Sequence, residues 1–273
     1  MSRTVSGPLP GTAAVASGRI AIELRAFFRE PLSVAFILAL PAILLLLLGS
    51  IFRSQVAGHG IGAGQVFAAG LIGGGIISTT FQNLAISIAT ERDQRMLKRL
   101  AGTPMPRSAY FIGKIGVVGV STVAEVAILV GVGMGIDNLR LPTTAARWFT
   151  LLWVVGLGTV TCSLLGLAAS SVPRSARSAA PVIMLPVTVV QFISGVYVPP
   201  TLVPGPLRVL ASFFPVKWIC QGLRSVFLPQ QAVALEPAGS WEHGRTAIVL
   251  AAWAAAGAVL CLTTFRWRSR GDG

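Results

Sequence analysis

Ionisable side chains are concentrated between Thr90 and Lys114, a stretch that separates two long apolar runs. Acidic and basic groups at this density indicate a short helix that lies in water and can dock a second protein. The chemistry on offer is binding, because no arrangement of nucleophile, base and orienting group can be picked out in the chain. His59 and His243 have no second ligand at metal-binding spacing, so we expect loop histidines and no metal site.

The charged stretch carries its own signals for the start and the end of a helix. Thr90 can act as the N-cap with Asp93 at the reciprocal position, where acidic groups favour the positive end of the helix dipole. Gly102 fits a C-cap, and Pro104 and Pro106 end the helix. The expected packing residues are Met96, Leu97 and Leu100, and those left for a partner are Glu91, Arg92, Arg95 and Arg99. Spacing alone also allows a solvated connector without a partner.

Composition places the chain among integral membrane proteins. Of its 273 residues 53% are hydrophobic and 11% are charged, with a mean hydropathy of +0.75, whereas a soluble domain is roughly 25% charged. The net charge of +13 does not predict nucleic-acid binding, because the cations cluster at the edges of apolar runs. Cys162, Cys220 and Cys261 are odd in number and far apart, so neither a disulfide framework nor a metal or redox site is expected.

Apolar runs long enough to cross a bilayer occur six times. A helix needs about 20 residues to cross roughly 30 Å of hydrocarbon, and these runs are continuous rather than alternating, which favours helices over a barrel. The expected spans are Leu32 to Phe52, Gly64 to Ala89, Ala109 to Met134, Trp148 to Ser171, Ala179 to Val198 and Thr246 to Phe265. Prolines 41, 181 and 186 fall inside spans and are expected to kink them. We predict one all-helical membrane domain over residues 32–273.

The segment of residues 1–31 has the pattern of a cytosolic N-terminal region. Apolar residues recur at helical spacing in its second half, namely Ile20, Leu24, Phe27 and Phe28. An amphipathic helix from Ala14 to Glu30 along the inner membrane surface is therefore expected, until Pro31 turns the chain inward. No apolar region of a cleaved signal precedes it, so the first span should be retained. A plain anchor without a further role is the alternative.

The distribution of cations predicts the orientation in the cell membrane. With a cytosolic N-terminus, 15 of the 22 Lys and Arg residues fall inside and 7 outside. The outer group contains Arg53, Arg140, Arg147, Arg208, Lys217, Arg224 and Arg245. Because the positive side of a membrane protein faces the cytosol, both termini are expected there.

The outer loop after the fifth run, Pro199 to Pro229, is too apolar for a solvated loop, yet its prolines exclude one continuous span. Two short helices that meet near Pro215 and dip into the outer leaflet satisfy both observations, since re-entrant backbone is tolerated where protein covers it.

Polar residues inside the spans are candidates for a translocation path. Glu125 is the sharpest candidate, because an ionisable side chain near the middle of a span is expensive to bury. A hydrogen-bonded structural acid is the alternative. Gln82 and Asn83 in span two and Gln191 in span five can contact substrate or join helices by hydrogen bonds.

Several short motifs occur in a fixed order along the chain. They are E-R-D at 91–93, L-K-R-L at 97–100, T-P at 103–104, G-K at 113–114, I-S-G-V-Y-V-P at 193–199, then Pro204, Leu207, Pro215 and G-L-R at 222–224. In this order, with six spans, the chain resembles the type-2 ATP-binding-cassette (ABC) exporter permeases, and within them the drug and antibiotic branch of the anthracycline exporters. One departure is visible: Arg95 and Met96 stand where such permeases often carry a Gly-Thr pair.

The resemblance implies a permease half that pairs with a second half, a copy or a different chain, and with two ATPase subunits. ATP and magnesium would be bound by the ATPase and no cofactor by this chain, which lacks a G-x-x-x-x-G-K-[ST] loop. The implied coupling residues are Glu91, Arg92, Asp93, Arg95, Met96, Leu97, Arg99 and Leu100, and those of the re-entrant loop are Gly195, Pro199, Pro204, Pro215 and Arg224.

The implied activity is outward movement of a hydrophobic or amphipathic compound. Three alternatives stay open: a permease for a polysaccharide or lipid of the cell envelope, a membrane scaffold that does not transport, and an ion-coupled transporter using Glu125. The last should show related halves with broken helices at matching positions, a pattern that the sequence lacks.

Overall fold

The computed structural model describes residues 12–29, 31–52, 63–102, 107–136, 139 and 141–264, and within these the fold is helical without strands. Eleven α-helices follow in order: α1 Thr12–Phe28, α2 Pro31–Ile51, α3 Ala63–Ile77, α4 Leu84–Asp93, α5 Met96–Ala101, α6 Arg107–Ile136, α7 Ala145–Ala169, α8 Ala176–Ile193, α9 Gly205–Ala211, α10 Pro215–Phe227 and α11 His243–Thr264. A π-helical segment, Ser78–Asn83, joins α3 to α4 without a break. The 3-10 helices Pro200–Leu202 and Gln230–Leu235 flank α9 and α10.

Five helices in the described part of the chain are long and apolar enough to cross a membrane. They are Gly64–Asp93, Ala109–Gly135, Ala145–Ala169, Ala176–Ile193 and His243–Thr264. The first expected span falls on α2, whose described apolar portion, Ala39–Ile51, is a shorter helix. Pro41 lies inside α2, and Pro181 and Pro186 lie inside α8. The chain is thus an all-helical, multi-pass membrane protein.

At one end of the bundle, the space between α3, α7 and α11 is filled by α10, although this helix is short and carries polar residues. It packs against α3, α7 and α11, and nearly all of its side chains are buried. Glycines allow this close approach: a Cβ on Gly222 would lie 2.8 Å from a methyl carbon of Val154, and one on Gly73 would lie 2.6 Å from the sulfur of Cys220. Bulkier residues at these two positions would push α10 away from its neighbours.

Helix α1 packs along the first half of α6, again through glycines. A Cβ on Gly113 would lie 2.5 Å from Cγ of Arg19, and one on Gly116 would lie 2.7 Å from Ile20. Ile20 and Leu24 are half-buried, while the side chains of Phe27 and Phe28 lie outside the described part. The amphipathic pattern seen in the sequence therefore serves, at least for Ile20, a contact with α6.

Two ends of the bundle can be distinguished. Helix α8 starts at Ala176, beside Asp93, and runs for 18 residues to Ile193, just before α9 and α10. We call the end that carries Gln94 and Arg95 the bend end, and the opposite end, which carries α9 and α10, the hairpin end.

Candidate functional site

The charged stretch forms a bent pair of helices. Helix α4 continues span two as far as Asp93, the chain turns at Gln94 and Arg95, and α5 begins at Met96. The backbone of Arg95 is left-handed, with φ 58° and ψ 17°, and this residue occupies the N-cap position. The expectation that Thr90 caps a new helix is wrong, because Thr90 lies inside α4 and nothing interrupts the helix before residue 94. Gly102 is the C-cap, as expected.

The bend divides the predicted coupling residues between surface and core. Arg95, Met96 and Arg99 are exposed, Met96 by 42% of its surface, although the sequence favoured its burial. Leu97 is fully buried and packs in a small apolar cluster with Ile88 of α4, and Leu100 is half-buried against that cluster. The burial of Leu97 and Leu100 anchors α5 and leaves a basic face with one exposed methionine.

Glu91 faces the protein and not the surface. Its carboxylate forms an ion pair with Lys114 of α6 and accepts a hydrogen bond of 2.8 Å from the hydroxyl of Tyr110. The same Lys114 ammonium lies 3.0 Å from Glu23 of α1 and donates to Ser87 at 3.1 Å. One buried cation thus joins α1, α4 and α6. The carboxylate of Glu91 is bonded to residues of its own chain and does not face a partner protein.

The next two residues tie α4 to the connection before α8. Arg92 donates a hydrogen bond of 2.9 Å to the carbonyl of Pro173, and the Asp93 carboxylate accepts one of 2.9 Å from the backbone N–H of Ala176. A carboxylate at the start of a helix is favourable, because the first N–H groups lack partners and the dipole is positive there. A cavity of about 720 Å³ opens beside these contacts and includes Phe81 and Arg174 in its wall.

Further along the same helix, the π-helical segment meets Glu125. The hydroxyl of Thr79 donates to Oε2 of Glu125 at 2.6 Å, and Glu125 is only 2% exposed. Its other oxygen, Oε1, has no hydrogen-bond partner among the described residues. Gly75 makes room for the carboxylate, because a Cβ there would lie 2.3 Å from Oε1.

The π-helical segment also contacts Gln191. The amide of Gln191 donates to the carbonyl of Gly74 at 3.2 Å and lies 3.5 Å from the Ser78 hydroxyl, and Tyr197 donates to its oxygen. Gln82, which is buried, and Asn83, which is half-buried, belong to the segment itself. The four predicted path residues therefore lie in or against one stretch of π-helix, a geometry that often marks functional positions in helices.

At the hairpin end, the structure brings Gly195 and Arg224 together. Nε of Arg224 forms an ion pair of 2.5 Å with Glu236, and Nη1 donates to the carbonyl of Gly195 at 3.3 Å. Gly195 has φ +85°, which glycine adopts without strain, and a Cβ there would lie 3.0 Å from the guanidinium. Pro199, Pro204 and Pro215 each stand at the start of a short helix. The partner Glu236 gave no signal in the sequence.

Aromatic and charged groups surround this pair. The Lys217 ammonium lies 3.5 Å from the ring centre of Trp218, and the Arg245 guanidinium lies 5.5 Å from it. Burial lowers the pKa of Lys217 from its ordinary value, and the nearby carboxylate of Glu242 opposes this shift. In the described part of the chain, no group of three or more His, Cys, Asp or Glu could hold a metal ion.

The helical bundle and the bent, charged connection define the class: a multi-pass membrane protein with a candidate docking element at one end. The family model for ABC-2 type transporters matches residues 20–228. Since this is most of the 273 residues, the chain belongs to the ABC-2 type transporter family. It is therefore a membrane permease domain of an ABC transporter. Members of this family lack a nucleotide-binding domain, and the family therefore implies separate ATPase subunits as partners. A comparison with curated proteins found no match.

Proposed function

We propose that this chain is the permease subunit of an ABC exporter that moves a hydrophobic or amphipathic compound outward across the membrane. Separate ATPase subunits bind ATP and magnesium, and the chain itself carries no cofactor. The α2 helix completes a set of six spans, both termini lie in the cytosol, and the bend end faces the ATPase. The family match supports the general role, and the bend supports the place of docking.

The observation that carries the docking proposal is the surface of α5. Arg95, Met96 and Arg99 are exposed at the bend while Leu97 anchors the helix beneath them. Two cations around an apolar side chain fit a groove with acidic walls and an apolar floor, and Met adapts well to such grooves. Glu91 has no part in this contact surface, and it holds α4 in place through Lys114.

The same geometry offers a route for mechanical coupling. Span two is a continuous helix of 30 residues from Gly64 to Asp93, about 45 Å long at 1.5 Å per residue. A push on α5 reaches the π-helical segment through this rod, since α4 follows Asn83 directly. The segment contacts Glu125 and Gln191, so the proposed path residues would feel the movement of the ATPase.

The test is retention of the ATPase by the purified permease. We expect the double variant Met96→Asp and Arg99→Glu to insert at the normal level but to retain at least tenfold less ATPase and to lose export. Charges of the wrong sign at a docked interface cost roughly 2 to 5 kcal/mol, while exposed positions tolerate them in the free chain.

A matched control reverses a cation at the hairpin end. Arg147→Glu changes the net charge in the same direction, at a position that the proposal leaves out of the contact. It should retain the ATPase as the wild type does. If the double variant retains the ATPase as the wild type does, α5 is not the docking element. If both variants lose the ATPase equally, the loss is caused by the change in net charge and not by the position of the substitutions.

The proposed assembly has a second permease, either a copy of this chain or a different one. Helix α8 exposes Met184, Leu185, Val189 and Phe192, and only 17% of its 18 residues are buried within the chain. Such a face suits lipid or a neighbouring permease.

For the substrate, we favour the drug and antibiotic branch, because the connections between spans are compact in the sequence.

A further inference from the structure

A cavity of about 470 Å³ lies at the hairpin end, between the end of α8, helices α9 and α10, and the loop before α11. This volume falls within the range of small-molecule sites, roughly 300–1,000 Å³. Six charged residues line it: Arg208, Lys217, Arg224, Arg245, Glu236 and Glu242. The cavity lies at the opposite end from the bend and shares no residue with the docking surface.

Two of the residues that line this cavity carry a buried hydrogen-bond donor without a partner among the described residues. Nη2 of Arg224 and Oγ of Ser194 are buried and have no hydrogen-bond partner among the described residues. Arg224 is 1% exposed and Ser194 is 2% exposed. A buried donor without a partner is unfavourable, and more so when it is charged. Both atoms therefore favour a ligand that supplies acceptor oxygens.

The charge balance of the cavity selects the sign of that ligand. Four cations and two carboxylates line the wall, which leaves an excess of two positive charges. Oε1 of Glu236 pairs with Arg224, while its Oε2 is buried without a hydrogen-bond partner among the described residues. Glu242 lies 3.0 Å from Arg245 and 3.8 Å from Lys217. Arg208 lines the cavity as well and no carboxylate lies within ion-pair distance of it in the described part. An anion suits this excess, and a cation does not.

The surroundings of the cavity are apolar on the side of α9. Leu207, Val209, Leu210 and Phe213 are all exposed, Val209 and Phe213 by two thirds of their surface. Exposed apolar residues beside buried cations fit a ligand with an anionic group and a hydrocarbon part. Among anions, phosphate carries several acceptor oxygens that an arginine fork and a hydroxyl can bind together.

We propose that this cavity binds the phosphate group of an anionic amphiphile, with Nη2 of Arg224 and Oγ of Ser194 as the buried donors. Arg208 and Arg245 add positive charge at the wall, and the exposed face of α9 contacts the hydrocarbon part. The site is independent of the proposed export role, because neither the ATPase nor the docking surface takes part in it.

The experiment measures lipid binding to the full chain in a neutral detergent. A fluorescent phosphatidylglycerol is bound and then displaced by unlabelled phosphatidylglycerol, by phosphatidylcholine or by sodium phosphate. Phosphatidylglycerol should displace the probe at a concentration at least tenfold lower than phosphatidylcholine, whose choline cation meets the excess positive charge. Displacement by millimolar sodium phosphate would mean that the free anion suffices, whereas displacement by lipid alone would mean that the chains are needed; both support the phosphate site.

Variants test the two kinds of contact separately. Ser194→Ala removes one neutral donor and should weaken phosphatidylglycerol binding about threefold to tenfold. The double variant Arg208→Gln and Arg245→Gln should weaken it at least tenfold and leave the buried Arg224 pair intact. Arg147→Gln, a cation of the same end outside the cavity wall, should stay within twofold of the wild type.

Two results would overturn the proposal. One is equal displacement by phosphatidylglycerol and phosphatidylcholine, together with no effect of sodium phosphate. The other is unchanged affinity in Ser194→Ala and in the double variant. An equal loss in Arg147→Gln would also overturn it, since binding would then follow net charge and not this cavity.

Discussion

Glu125, in the middle of a membrane helix, has one carboxylate oxygen that accepts a hydrogen bond and one without a partner in the described part of the chain. Thr79 donates a hydrogen bond to Oε2. Oε1 lies close to Gly75, in space that a side chain at that position would fill. A buried acid without full pairing is costly, so it persists where it has a role or where it is neutral. Because Glu125 is hydrogen-bonded to the π-helical segment, a movement of span two would displace this carboxylate.

Replacing Glu125 by Gln tests whether its ionisation is used. The amide keeps the shape and can still accept the Thr79 hydrogen bond, so we expect normal insertion and assembly. Export of substrate should fall at least tenfold, measured as efflux from cells at equal expression. Thr122→Val is a matched control one turn away, because Thr122 is also buried and its hydroxyl has no partner among the described residues. Wild-type efflux in Glu125→Gln would leave this acid a structural role only.

The bend between α4 and α5 depends on one strained residue. Arg95 has φ 58°, and a left-handed conformation costs a residue with a side chain about 1 to 2 kcal/mol. Glycine, by contrast, adopts this conformation freely. The chain keeps its bend here with arginine because Leu97 is buried on one side and Arg92 and Asp93 are bonded on the other.

Glycine should therefore have opposite effects at two neighbouring arginines. Arg95→Gly relieves the left-handed strain and should raise the free energy of local unfolding by up to about 1 kcal/mol, reduced by the greater freedom of glycine in the unfolded chain. Arg99→Gly lies inside α5 and should lower it by about 1 kcal/mol. Hydrogen exchange of the amides of residues 96–101 measures both. Equal changes in the two variants would contradict the assignment of strain to Arg95.

The helices could be predicted from the sequence more fully than the contacts that bend and join them. Five of the expected spans coincide with apolar helices, because a span is set by a local run of side chains. The ion pair of Glu91 with Lys114 joins residues 23 positions apart on different helices, so helical periodicity could not reveal it. The π-helical geometry of Ser78–Asn83 has no sequence signature, although Gln82 and Asn83 within it were predicted as polar residues of a span.

Across the whole molecule, charged contacts are concentrated at the two ends and the apolar core lies between them. Lys114 joins three helices at the bend end, and Arg224 with Glu236 closes the hairpin end. The long helix Gly64–Asp93 runs between the two ends and is the most buried of the five apolar helices. This arrangement suits a rod that carries movement inward from a partner at the bend end.

The predicted orientation of the molecule in the membrane rests on the distribution of its cations. With six spans and a cytosolic N-terminus, 15 of the 22 Lys and Arg residues are expected on the side of the bend, and the more positive side of a membrane protein faces the cytosol. Cys162 and Cys220 are buried, and only Cys261 is partly exposed. Replacing Cys261 by Ala therefore gives a background for single introduced cysteines with little labelling of its own.

In intact cells, an impermeant thiol reagent should separate the two sides of the chain. Cysteines placed at Ser2, Gln94 and Asp272 should be protected, and those at His59 and Ser240 should be labelled. Gln94 and Ser240 are exposed in the structure, so protection of the first reports the membrane barrier and not burial. After the membrane is permeabilised, the cysteine at Gln94 should be labelled in a chain without bound ATPase. Labelling at Ser2 or Gln94 in intact cells would reverse the orientation, and with it the assignment of the bend to a cytosolic ATPase.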